Sequence, residues 1–97
     1  MEITEGYVVD LACLRRYPQQ EYTSRAAEHT TECALMGHCV ESGYGLVADD
    51  NLLVPLDMEA TRQVVSALAT AGPRGVRLRA TREDVDGELH TTNVRVL

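Results

Sequence analysis

The stretch Tyr44–Leu56, YGLVADDNLLVPL, decides how the chain is read. Two apolar runs, Tyr44–Ala48 and Leu52–Leu56, flank Asp49, Asp50 and Asn51. Short Asx side chains tolerate left-handed backbone, so these three residues read as the turn of a β-hairpin. Towards the C-terminus, Asp57 is a natural N-cap and Glu59 sits in the first turn of a second helix. Met58, Thr61, Val64, Val65 and Leu68 form its apolar stripe, and Gly72-Pro73 stops it. Residues 75–83, GVRLRATRE, then alternate: Val76, Leu78 and Ala80 on one face, Arg77, Arg79 and Thr81 on the other. Asp86-Gly87 is a turn, and LHTTNVRVL, residues 89–97, is a closing strand.

Towards the N-terminus, Gly43 is the natural last residue of a helix expected from Arg25 to about Glu41, because glycine enters the left-handed cap freely. Ser24 is its expected N-cap, and Gly37 its weak point. Residues 15–23, RRYPQQEYT, read as a loop broken by Pro18. Ile3, Val8, Val9, Leu11 and Cys13 belong to an extended first strand, with Gly6 as a bend or bulge. The order is therefore β-α-β-β-α-β-β. The expected fold class is α+β, mainly β: a small five-stranded OB-like barrel with two helices, since closure removes unpaired edges. An α+β sandwich is the second arrangement. Ninety-seven residues make one domain, 1–97, with one modest core.

Composition narrows the function. Nine basic and fifteen acidic residues leave a net charge of −6, and there is neither Trp nor Phe. Nucleic-acid binding usually needs a basic face and stacking aromatics, so no nucleic-acid partner is expected. Arg77, Arg79 and Arg82 form a basic strip without an interleaved aromatic. No apolar run reaches the roughly 18 residues of a membrane span. The N-terminus lacks a basic segment followed by an apolar one, so the chain as written reads as cytoplasmic, as would one whose leader had been removed. Three cysteines in such a compartment favour a metal site or a reactive thiol over a disulfide framework. No G-x-S-x-G, phosphate loop or dinucleotide fingerprint is present.

The soft ligands gather in EHTTECALMGHCV, residues 28–40. On a helix, His29 and Cys33 are one turn apart and can converge on one ion. Met36 and Val40 continue their stripe. Cys13 can be brought to that face by folding, and Cys39 can reach it if the helix ends near Gly37. This predicts a Cys₃His set of Cys13, His29, Cys33 and Cys39, with His38 in reserve. Zinc is the expected ion, and copper or an iron–sulfur cluster would also suit soft ligands. The competing reading is that the thiols are core residues, since buried cysteine behaves as a small hydrophobe. Asp10 suits a supporting group behind a ligand after a bend, or a group satisfying backbone at a strand end. Arg15 and Arg16 flank Cys13 and suit either a solvated pair or one that lowers the thiol pKa. Tyr7, Tyr17, Tyr22 and Tyr44 suit pocket walls or core edges. His90 stands alone and is expected at the surface.

Val9, Asp10 and Cys13, then His29, Cys33 and Cys39, then Val40, Gly43, Tyr44, Leu46 and Val47 resemble the pattern of small bacterial OB-like barrel proteins of unknown function. That pattern has Val-x-Asp-x-x-Cys, a His or acid before Cys-x₃-Cys, then Val-x-x-Gly and a Tyr-Ala-Leu-Val strand. The resemblance implies a barrel and a shared Cys/His cluster, with no reaction attached. Here five residues, not three, separate Cys33 from Cys39. Two function classes follow: a metal-binding or thiol-redox protein, and a non-catalytic module that binds a protein partner. Four ligands around one ion would make the site structural or electron-carrying. Three would leave a position open for chemistry, so enzymatic activity is undecided at this level.

Overall fold

In the computed structural model, which describes residues 1–97, five strands form one antiparallel sheet. They are β1 (Glu2–Asp10), β2 (Tyr44–Val47), β3 (Leu53–Pro55), β4 (Arg77–Val85) and β5 (Glu88–Val96), in the order β3-β2-β1-β4-β5. Five helices accompany them: α1 (Leu11–Leu14), α2 (Tyr22–Glu28), α3 (Thr31–Ala34), α4 (Gly37–Ser42) and α5 (Met58–Leu68). Gln19–Glu21 form a 3₁₀ turn before α2.

The five strands follow one another along the chain as read from the sequence. β1 ends at Asp10, however, so Leu11 and Cys13, expected in that strand, lie in α1, and five helices stand where two were expected. Nor does the sheet close: it is open, with β3 and β5 at opposite edges. A barrel needs tilted strands long enough to meet around the ring. β3 has three residues and ends at Pro55, which has no N–H to continue a ladder.

Alternation sets the two faces of the sheet. Val8, Leu46, Leu78 and Ala80 face α5, whose Ala60, Val64 and Leu68 complete the larger core with Tyr44 and Leu56. The stripe of α5 is thus narrower than expected, and Met58 is exposed. Val9 and Val47 point the other way and pack on Leu14 and Ala26 from α1 and α2. Asp57 is the N-cap residue of α5, but its carboxylate accepts bonds from the N–H and hydroxyl of Thr91 instead of capping. That ties α5 to β5. Asp86 and Gly87 both have positive φ, 54° and 86°, as a two-residue hairpin turn requires.

Gly6 marks no bulge. It pairs in register with Leu78 of β4, and a Cβ there would sit 2.6 Å from the Val47 carbonyl oxygen of β2. The residue is required by close approach of two backbones. The arginines of β4 form no continuous strip. Arg79 pairs with Glu5, Arg77 reaches Asp49 at 3.9 Å, and Arg82 lies on the opposite face. Arg82 is buried, bound to Glu2 and to the Pro55 carbonyl.

The largest departure concerns the expected helix from Arg25 to Glu41. The structure has three short helices there, interrupted at His29–Thr30 and at Leu35–Met36. His29, Thr30 and Met36 have extended backbone, with ψ of 131°, 146° and 144°. Ser24 lies inside α2, where its hydroxyl donates to the Glu21 carbonyl. The expected end is right: Gly43 follows Ser42 with φ of 85°.

Candidate metal centre

Two one-turn helices build the site by the same device. Asp10 ends β1 and caps α1, its Oδ2 accepting from the Cys13 N–H at 2.9 Å. Thr30 caps α3, its hydroxyl oxygen accepting from the Cys33 N–H at 3.1 Å. Each cap satisfies an N–H that the first turn leaves free. In both DLAC (10–13) and TTEC (30–33), the cysteine stands three residues after its cap. The backbone of each cysteine is therefore held by a side chain, and its thiol is left for the space between the helices. The two Sγ atoms lie 3.8 Å apart, and both cysteines are free and half-buried.

His29 arrives from a third direction. It terminates α2 in extended conformation and is strapped by the segment after α5. The Gly75 N–H donates to the His29 carbonyl at 3.1 Å, and the Thr31 N–H donates to the Pro73 carbonyl at 2.9 Å. Its Nε2 lies 2.7 Å from Asp10 Oδ1. Asp10 is fully buried, and both its oxygens are engaged. Burial raises its pKa, but the bonds from His29 and from the Cys13 N–H outweigh that, so the carboxyl is held down at about 2. Asp10 is an anion at any ordinary pH.

Ligand atoms of Asp10, Cys13, His29 and Cys33 all lie within 4.8 Å of one another. Cys13, His29 and Cys33 thus converge as expected, though not through a helical stripe. Cys39, expected as a fourth ligand, is outside that set. It is fully buried in α4 beneath Asp10. Burial pushes its thiol up to about 11, and the neighbouring Asp10 adds to the effect. His38 is exposed on the same short helix and also takes no place in the cluster. Asp10 is the residue that sequence reasoning ranked too low. Its signal was available as an Asp three residues before a cysteine, which is the spacing of an N-cap side chain to the backbone N–H that it accepts from.

The Cys13 thiol is not activated by Arg15 and Arg16. Burial, reinforced by Asp10 and Cys33, pushes Cys13 up to about 12. A protonated thiol is a poor nucleophile, and it becomes a thiolate readily only beside a positive charge or a metal. The site opens into a pocket of about 370 Å³ whose lining includes Val9, Leu14, Tyr17, Arg16 and Arg25. Among the other tyrosines, Tyr44 is core and donates its hydroxyl to the Ala34 carbonyl at 2.6 Å. His90 is at the surface but not alone, bonded to Glu59 at 3.0 Å. No helix is long and apolar enough to cross a membrane. Searches against protein-family models, curated proteins and solved structures find no match to this chain.

Proposed function

We propose that the protein binds a metal ion, zinc as the best-fitting one, through Cys13, His29 and Cys33, with Asp10 holding the histidine. The observation that carries this reading is the convergence of two thiols, an imidazole and a buried carboxylate within 4.8 Å. The sulfur separation supports it. Two Zn–S bonds of about 2.3 Å at a tetrahedral angle put the sulfurs about 3.8 Å apart, against 3.8 Å here. A disulfide would need about 2.05 Å.

The role of Asp10 follows from its bonds. Beside the Asp10 carboxylate His29 Nε2 is the donor, and in this reading the other ring nitrogen, Nδ1, is the ligand atom. A carboxylate behind a ligating histidine fixes its tautomer and raises its basicity. Both Asp10 oxygens being engaged favours this role over direct ligation. Two thiolates and one imidazole are also the donor set of a zinc site with an open fourth position. Copper(I) would accept the same thiolates. The cluster of four irons and sulfurs is disfavoured, because three ligands fall short of the four thiolates it usually takes.

Zinc content after anaerobic purification tests the reading. One equivalent of zinc is expected in the wild-type protein. Cys13→Ser and Cys33→Ser should each weaken zinc binding at least a hundredfold in competition with a chromophoric chelator. Cys39→Ser should stay within tenfold of wild type. Equal losses at all three cysteines would restore the Cys₃His set. Wild-type protein that takes up no zinc, copper(I) or cobalt(II) would overturn the metal reading and leave a module whose cysteines are core.

A further inference from the structure

The pocket in front of the cluster has a distinct chemistry of its own. Cys13, His29 and Cys33 line it together with the half-buried Tyr17 ring and the buried Val9 and Leu14. The exposed Arg16 and Arg25 also line it, two of the nine basic residues of an acidic chain. Glu28 and Thr30 complete it. Arg25 is held in place. Its guanidinium carbon lies 4.2 Å above the centre of the Tyr17 ring, and its Nε and Nη2 both donate to Glu21 Oε1 at 3.1 and 2.8 Å. Nη1 is left without such a bond. Arg16 enters no ion pair.

We propose that this pocket binds a small organic carboxylate, one oxygen completing the coordination of the ion at Cys13, His29 and Cys33 while the carboxylate pairs with Arg16 and Arg25. The inference rests on the metal reading above. A planar guanidinium matches a carboxylate edge, and an immobilised one loses little entropy on pairing. A bare inorganic anion would leave the half-buried Tyr17 ring against water; Val9 and Leu14 are already buried. An alkyl tail covers the ring, and about 370 Å³ has room for both head and tail. The class is therefore a short-chain carboxylate with an apolar body.

Protein loaded with cobalt(II) separates the two readings. Thiolate-to-cobalt charge-transfer absorption reports metal binding, and the visible ligand-field bands report the fourth position. Titration with acetate, butyrate and hexanoate should shift the ligand-field bands to saturation while the charge-transfer band persists. Each added methylene should tighten binding about fourfold until the Tyr17 ring is covered. Arg16→Gln and Arg25→Gln should each weaken carboxylate binding about tenfold and leave cobalt content unchanged. Absence of the charge-transfer band defeats the metal reading itself. A charge-transfer band with ligand-field bands that no carboxylate moves overturns this inference alone. So does inorganic phosphate binding more tightly than butyrate, or arginine variants that bind as the wild type does.

Discussion

Between Tyr44 and Val96 the backbone is held by strand ladders and one eleven-residue helix. Between Asp10 and Gly43 it runs through four helices of four to seven residues and a 3₁₀ turn. Isolated helices that short do not persist in water. They persist here because side chains close their ends: Asp10 on Cys13, Thr30 on Cys33, and Ser42, whose hydroxyl accepts from the Ala12 N–H and donates to the Cys39 carbonyl. The comparison teaches where the site belongs. A regular ladder spreads side chains at fixed intervals, whereas capped single turns bring a cysteine, a histidine and a carboxylate from distant positions to one point.

The contrast can be broken first in the regular half. Leu78 is fully buried in the core between the sheet and α5. Leu78→Ala should cost 2–5 kcal/mol of stability, measured by urea unfolding with the slope unchanged. Hydrogen exchange sharpens the same point. Removing the metal with a chelator should raise amide exchange across residues 10–43 more than across 76–96. Uniform protection of both segments after chelation would mean that the short helices stand without the ion.

Asp10→Asn is next in size. The native carboxyl sits at about 2, against 3.8 ordinarily. A group whose folded pKa is lowered contributes stability above its unfolded pKa and loses it as pH falls through the folded one. In metal-free protein this amounts to about 2 kcal/mol near neutrality, lost between about pH 4 and pH 2. Denaturation of Asp10→Asn at a series of pH values should show a flatter profile over that window. A wild-type curve equally flat there would remove Asp10 from the account. In the metal-bound protein, binding also displaces the proton from Cys13, held at about 12. Zinc affinity should therefore rise with pH by at least tenfold per unit through neutrality, and pH-dependent chelator competition measures it.

Thr30→Ala is the mildest. Loss of the cap on α3 should cost about 1 kcal/mol and lower zinc affinity a few-fold, because the Cys33 backbone loses its anchor. Thr30→Ser should recover both. Full recovery of stability without recovery of affinity would show that the cap does not position the thiol.

Much of the regular half was legible. The Asp49–Asn51 turn, the Asp86-Gly87 turn and the alternation of Val76, Leu78 and Ala80 each carry a local signal that the tertiary fold keeps. Gly43 was legible for the same reason, since its positive φ is a property of one residue. The capping half misled because helix periodicity was read through His29, Thr30 and Met36. Thr30 prefers to hydrogen-bond its own backbone turn, and that preference ends one helix and starts another. The stripe joining His29 to Cys33 was coincidence of spacing; their meeting comes from the strap at Pro73–Gly75.

By itself, the sequence determined the strand order along the chain, the hairpin turns and the end of the α4 segment. Each depends on residue type and short-range spacing. Tertiary structure decided that the sheet stays open, because closure depends on which strands meet at the edges and β3 is too short to meet β5. It also decided that Asp10, not Cys39, stands at the cluster. The Asp10 carboxylate is aimed by the turn from β1 into α1 and by His29 nineteen residues away, while Cys39 is turned inward under α4.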